Sequence, residues 1–497
     1  MIISKSSQLS DQVLNGEKVR LTFHYNNREI TRFVNSVFTK ILAKTDMLYL
    51  QGPVENVTRE LIINAVKANS KRIYFKKQNL DISNPEHYEE GMISFKNFMV
   101  EQMEQLPEEL KESGYRVELN LRKDNDGFII LIRNNTGLLP FEEERIKMRL
   151  DKAREYTDFA DIYMDVADDD EGEGLGIPLT MLFLKNSGIG DSSFKIVSNG
   201  AITQSSFRIP LKTQAAEMTN IIRDKLVSEI NDLPTFPEHI MELQAMCRNR
   251  DISLNNIAHK IALDPALSAS VLKLSNSALF MSPKRIENIA DALKIIGLKN
   301  LNAILVASTT RKIMDERFSS FRDIWDHCNR CAFYTRLIAQ KVGLPKLSDM
   351  VVLSGLLHDL GKIVLLSANA DLTQQIETIS VNRQMRTSTA LEELSMGISH
   401  SSIGRMIAEK WNFPEYIIES IAYHHSPLNP EIKNRDAVYI TYIANSMCLI
   451  EENKFDFLFM EDDVLTKYGL NRKEDFDVFH QNLKKQYAEH PDNLKVN

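Results

Sequence analysis

Apolar residues return every three or four positions over residues 57–69 and 177–186, the spacing of one buried helix face. Around them the pattern shifts to short β-branched and aromatic runs at 21–25, 72–75, 117–121, 128–132, 194–197 and 206–209. Runs of that kind read as strands. Strands interleaved with helices over residues 1–211 predict an α+β sandwich, a sheet covered on one face by helices. Residues 212–230 are polar, with apolar positions at helical spacing, and predict a linker helix. Leu233-Pro-Thr-Phe-Pro237 then marks the start of a new unit. From 231 to 451 the strand signal disappears. Ser253 stands as an N-cap before Leu254, and Asp264-Pro265 places proline at a first helical position. Stretches 269–275, 289–296, 301–307 and 331–342 keep the helical period, which predicts an all-α domain of roughly ten helices. Residues 452–497 read as a charged and polar tail with an apolar hook at Phe455-Asp-Phe-Leu-Phe459.

Composition narrows the functional classes. The chain has 497 residues, 43% hydrophobic and 26% charged, an ordinary globular mix. A net charge of -8 gives no overall pull toward nucleic acid or an anionic membrane. The first residues hold no apolar core followed by a small-residue cleavage site, and no run of 18 uncharged apolar residues occurs. Neither a signal peptide nor a membrane span is expected. Four cysteines in so long a chain point to a reducing cytoplasm. Cys328-Asn-Arg-Cys331 has no second pair to complete a zinc site and reads as two core residues.

The candidate chemistry lies in two constellations. Five of the eleven histidines fall between His327 and His425. One of them sits in Gly355-Leu-Leu-His358-Asp359-Leu-Gly361-Lys362, where an apolar run ends at His-Asp. Neutral imidazoles with a carboxylate suit a divalent transition metal such as Fe, Mn or Zn. The alternative is a polar core network of hydrogen-bonded histidines. In the first half, Glu60, Asn64 and Lys67 share one helical face. A strand and turn follow at Asn134-Asn135-Thr136-Gly137, then Gly172, Gly174 and Gly176 lead into an apolar helix. Glycines at a helix start let backbone N–H groups approach phosphates.

Further motifs order themselves around the histidines: Asp264-Pro-Ala-Leu267, Lys273-Leu-Ser-Asn276-Ser277-Ala278, Ala292-Leu-Lys-Ile-Ile-Gly297, Gly397-Ile-Ser-His400, Trp411-Asn-Phe-Pro414 and Ile421-Ala-Tyr-His424-His425. From Leu233 to about Pro430 the chain resembles the HDOD family, the regulatory branch of the HD superfamily of metal-dependent phosphohydrolases. The resemblance implies a helical bundle with His327, His358, Asp359, His400, His424 and His425 as metal-ligand candidates, and Lys362 as a catalytic phosphate contact. This chain departs from the active phosphodiesterase cousins at two places. Ser426-Pro427-Leu428 stands where they carry Gly-Tyr-Pro, and Asn445 stands where they carry an aspartate ligand. HDOD domains are regarded as signalling modules.

The first-half boxes resemble the GHKL ATPase superfamily over roughly residues 55–211. That resemblance implies Mg-ATP, with Asn64 on the magnesium, Glu60 at the position of an activating carboxylate, and Lys67, Asn134, Gly172, Gly174 and Gly176 around the nucleotide. Asn134 replaces the aspartate that reads adenine, and six acids between Asp165 and Glu173 oppose a triphosphate unless Mg²⁺ intervenes. The combined expectation is a cytoplasmic bacterial signalling protein. A nucleotide-sensing domain (1–211) is joined by a linker (212–230) to a non-catalytic HDOD output domain (231–451), followed by a tail (452–497). A protein partner and a homodimer fit that expectation. The alternative is a metal-dependent phosphodiesterase acting on a cyclic dinucleotide or nucleotide.

Overall fold

The computed structural model describes the chain outside residues 1, 46, 48–49, 102–105, 157–161, 163–175, 191–192, 212–220, 249–251, 277–284, 319–320, 383–384, 386 and 490–497. Two compact units emerge, Met1–Met218 and Thr219–Asn497.

The first unit has a small antiparallel sheet packed with helices. Five strands, β1 (Val19–Phe23), β2 (Val117–Lys123), β3 (Gly127–Asn134), β4 (Lys195–Ser198) and β5 (Thr203–Pro210), lie in the order β1-β2-β3-β5-β4. Every neighbouring pair is antiparallel. Leu119, Leu121, Ile130, Ile132, Phe207 and Ile209 are buried from the three middle strands. The helix Gln51–Lys77 packs on β2 and β3 and against the helix Gly176–Asn186.

One run expected as a strand is helical. Arg72-Ile-Tyr-Phe75 continues the 27-residue helix Gln51–Lys77. Tyr74 packs its ring at 4.8 Å from Phe98 and 5.6 Å from Phe95, and Phe75 lies 5.7 Å from Tyr88. That aromatic packing outweighs the weak strand preference of aromatic residues. Helices at Ile2–Leu14, Arg28–Lys44, Pro85–Glu101, Leu106–Glu112 and Pro140–Glu155 were not anticipated from the pattern.

The second unit is helical among its described residues. It opens with the helix Ile221–Asn231, which covers the end of the expected linker; residues 212–220 lie outside the described residues. Ser253 caps the helix Leu254–Ala262 through Asn255 N–H, and Pro265 opens the helix Pro265–Ser275. Twelve described helices, rather than ten, run from Glu238–Arg248 to Arg435–Glu451. The expected tail is largely ordered. Helices Asp462–Lys467 and Lys473–Ala488 bury Val464, Leu465, Phe476 and Leu483 against Phe333, Tyr334, Ile440 and Met447. Ser348–Ala368 is long and apolar enough to cross a membrane by length and composition, yet 78% of its apolar window is buried in this unit. It breaks at His358-Asp359, between the helices Ser348–Leu357 and Leu360–Ala368.

Candidate metal centre

Close helix crossings set the geometry. Gly355 lies so near Ala332 that a Cβ would come within 2.7 Å of the Ala332 Cα. A Cβ on Gly361 would collide with the carbonyl oxygen of His400, and one on Gly404 would meet Ile421 at 2.6 Å. Gly355 and Gly361 let the helices that carry His327, Asp359 and His400 approach backbone to backbone, and Gly404 makes room for the Ile421 side chain of the helix leading to His424. All six residues proposed as ligands come together here, as two overlapping groups. One is Asp359, His400, His424 and His425; the other is His327, His358 and Asp359.

Hydrogen-bond partners assign the tautomers. His400 Nδ1 faces Glu392 Oε2 at 2.7 Å, His424 Nδ1 faces Ile421 O at 2.8 Å, and His358 Nδ1 faces Gly355 O at 2.9 Å. Carbonyl and carboxylate oxygens only accept, so each Nδ1 carries the hydrogen and each Nε2 is left with its lone pair. The lone pairs of His400 and His424 then face each other. His400 Nε2 is 3.3 Å from His424 Nε2 and 3.1 Å from His425 Nε2. Asp359 Oδ1 is 3.5 Å from His400 Nε2 and 3.4 Å from His424 Nε2, and it has no hydrogen-bond partner although buried. His358, Asp359, His400 and His424 are each at most 1% exposed.

Converging lone pairs and a bare carboxylate oxygen in a buried site call for a cation. The spacing fits one. Four ligands at about 2.0–2.1 Å from a metal stand roughly 3.3–3.4 Å apart at the corners of a tetrahedron. Four of the six separations among these donors run from 3.1 to 3.5 Å, and all six lie within 4.8 Å.

The electrostatics agree with neutral imidazoles around an ionised carboxylate. Burial, with the cost of charging beside His424 and His327, pulls the pKa of His358 down to about 3 despite Asp359. Burial likewise lowers His424. Burial alone would raise Asp359, but the Lys362 ammonium beside it outweighs that and holds the carboxyl well below its usual range. Glu392 is also buried, yet His400 and Ser388 hold it down at about 2.

Lys362 Nζ sits 2.8 Å from Asp359 Oδ2. Glu392, which orients His400, and Glu452, which faces His327 Nδ1 at 2.9 Å, were not singled out from the sequence. The available signal was a carboxylate inside an apolar helical stretch, as in Ala390-Leu-Glu392.

The first-half candidates form a separate cavity of about 240 Å³ in the first unit. Asn64, Lys67, Asn134 and Gly176 line it, and Glu60 lies beside Gly176, whose Cβ would sit 2.9 Å from Glu60 Oε2. Gly172, Gly174 and the acidic run 165–173 lie outside the described residues. Asn134 donates to Asn69 Oδ1 and to the Thr136 hydroxyl, so its amide is tied into a buried network. Lys67, Lys71, Arg145 and Arg149 line the same cavity, with Glu142 as the one acid among the lining residues.

Residues 233–427 match the family model of the HDOD domain. This segment is an HDOD domain. Over 414 residues the chain is 28% identical to an uncharacterized protein of Treponema pallidum (strain Nichols), covering 83% of this chain and 80% of that one. Among solved structures, it is similar to an HDOD domain protein of unknown function from Geobacter sulfurreducens. That match has 22% identity and a TM-score of 0.46, over 56% of this chain and 98% of the other. A candidate phosphohydrolase from Shewanella amazonensis SB2B matches at 20% identity and a TM-score of 0.41, over 54% of this chain and 99% of the other. The assignment rests on the family model, and the HDOD domain contains the whole histidine cluster.

Proposed function

We propose that this chain is a cytoplasmic regulatory protein of the HD superfamily whose HDOD domain binds a transition metal as part of its structure and does not hydrolyse phosphodiesters. The burial of the cluster carries this reading. A metal-activated hydroxide must reach a phosphorus atom, and four of the six candidate ligands are at most 1% exposed. Asp359, His400 and His424 offer a phosphodiester almost no surface, and the cluster reaches solvent through His425 and Lys362. The departures at Ser426 and Asn445 point the same way. The residues present fit a metal, which would supply Lewis acidity where bound; Glu392 and the Ile421 carbonyl hold the imidazoles for it. The test is turnover of a cyclic dinucleotide and of a generic phosphodiester with Mn²⁺, Fe²⁺ or Ni²⁺ supplied. We expect none above background. Turnover near 1 s⁻¹, within the usual enzyme range, that vanishes in His358→Ala would establish the phosphodiesterase alternative instead.

A second observation supports nucleotide sensing by the first unit. Its cavity gathers four cationic side chains and the amide of Asn64 around an apolar floor of Leu61, Ile132 and Ile177. An apolar base and an anionic phosphate chain suit such a lining. ATP with Mg²⁺ should raise the melting temperature of the first unit through linkage, and Asn64→Ala should remove the shift. No shift at millimolar nucleotide would strike nucleotide from the account.

A further inference from the structure

The two overlapping halves of the histidine cluster differ in what they leave for an ion. On the side of His400, His424 and His425, the Nε2 atoms of His400 and His424 keep their lone pairs, and Asp359 Oδ1 has no hydrogen-bond partner. On the other side two of the three groups are already engaged.

His327 is held at both nitrogens. Its Nδ1 lies 2.9 Å from Glu452 Oε1, and a carboxylate only accepts, so Nδ1 is the donor. Its Nε2 lies 3.1 Å from the carboxamide oxygen Oδ1 of Asn445 as that amide is placed. A half-turn of that amide exchanges its oxygen and nitrogen, and the N–H₂ end is the one that suits an acceptor Nε2. The lone pair of His327 is then taken by a donated hydrogen bond. An aspartate at 445 could not do this, because an ionised carboxylate has no hydrogen to give.

Asp359 Oδ2 is the second engaged group. It accepts from the Lys362 ammonium at 2.8 Å, while His327 Nε2 and His358 Nε2 stand farther from it at 3.7 and 3.5 Å. A fixed positive charge therefore faces the carboxylate oxygen that a second ion would need. Among His327 Nε2, His358 Nε2 and Asp359 Oδ2, the atoms facing this side, only His358 Nε2 is left without a hydrogen-bond partner; Asp359 Oδ1, also without one, faces His400 and His424. One imidazole does not make a zinc-type site, which takes three or four protein donors.

We propose that the HDOD domain holds a single transition-metal ion, on Asp359 Oδ1 and the Nε2 atoms of His400, His424 and His425, and that Lys362, Asn445 and Glu452 close the second position. Lys362 supplies the charge a second cation would have supplied, and Asn445 keeps His327 out of coordination. This rests on the metal-binding reading above.

The experiment is metal analysis of the full chain, stripped with a chelator, dialysed against Zn²⁺ or Mn²⁺ alone and freed of excess. One ion per chain is expected. His424→Ala should bind none. His327→Gln, which can keep the bond to Glu452, should still bind one with unchanged affinity. Two ions in the wild type, or loss of the ion in a folded His327→Gln, would overturn the proposal. No ion in the wild type would instead sink the metal reading on which it rests. The double variant Lys362→Met/Asn445→Asp should take a second ion. A folded double variant that stays at one would contradict the role given to those two side chains.

Discussion

A neutral imidazole has one lone pair, and the partner of its other nitrogen decides where that pair points. The sequence shows that histidines cluster around His358-Asp359. It does not show which of them are aimed, because aiming depends on residues from other helices, such as Glu392 eight positions before His400 and Glu452 beyond the domain match. Removing such a partner weakens metal binding by about 10–100-fold. Glu392→Gln should therefore lower the affinity for Zn²⁺ within that range in a chelator competition, and an unchanged affinity would count against the assigned tautomer. A second buried carboxylate works in the first unit. Glu142 takes Lys71 at 2.8 Å and Arg72 at 2.9 Å, and also the Tyr88 hydroxyl at 3.2 Å. Burial pushes its pKa up, but Arg72 and Lys71 pull harder and bring it from 4.5 to about 2. A depressed carboxylate contributes stability that is full above its unfolded pKa and lost as pH falls through the folded one. The first unit should thus lose stability between about pH 4.5 and 2. Glu142→Gln should cost about 3 kcal/mol at neutral pH by leaving two cations without their acid, and it should flatten that acid limb in denaturant titrations. An acid limb as steep as the wild type's would contradict the assignment.

At the scale of elements, the helix period of the second unit was readable because its apolar faces repeat over many turns. Ser253 and Pro265 also start their helices where local chemistry says they should. The strands of the first unit were readable as short β-branched and aromatic runs. Residues 72–75 misled because aromatic and β-branched side chains fit a strand locally, and only the rings of Phe95, Phe98 and Tyr88 decide for the helix. The crossing of the helices Leu360–Ala368 and His400–Lys410 is the element contact on which the metal centre depends, through Gly361 and Gly404. Gly361 itself was visible in the sequence, but its role at His400 was not. Gly361→Ala should force these helices apart. The expected result is a loss of about 3 kcal/mol, typical of overpacking, together with loss of bound metal. A variant that keeps wild-type stability and metal would show that the crossing is less tight than the structure has it.

At the scale of the whole chain, the HDOD match ends at residue 427, but the structure of the second unit does not. The helix Arg435–Glu451 brings Asn445 to His327, and Glu451 binds His480 at 2.8 Å and Tyr334 at 2.5 Å, tying the helix Lys473–Ala488 to the core. The composition of residues 452–497 hid this, because scattered apolar positions such as Phe476 and Leu483 are few among charged neighbours. A chain cut after residue 430 would expose the buried faces of Cys331, Tyr334 and Ile338 and should be insoluble or melt without cooperativity. A soluble, cooperatively folding truncation would show that these helices are accessory. The central claim is that the buried histidine cluster is a one-ion centre. The most direct measurement is anomalous diffraction from crystals of the full chain grown with Zn²⁺. The account predicts one strong peak within bonding distance of His400, His424, His425 and Asp359. A peak bonded to His327, a second peak beside His358, or no peak in the cluster would contradict it.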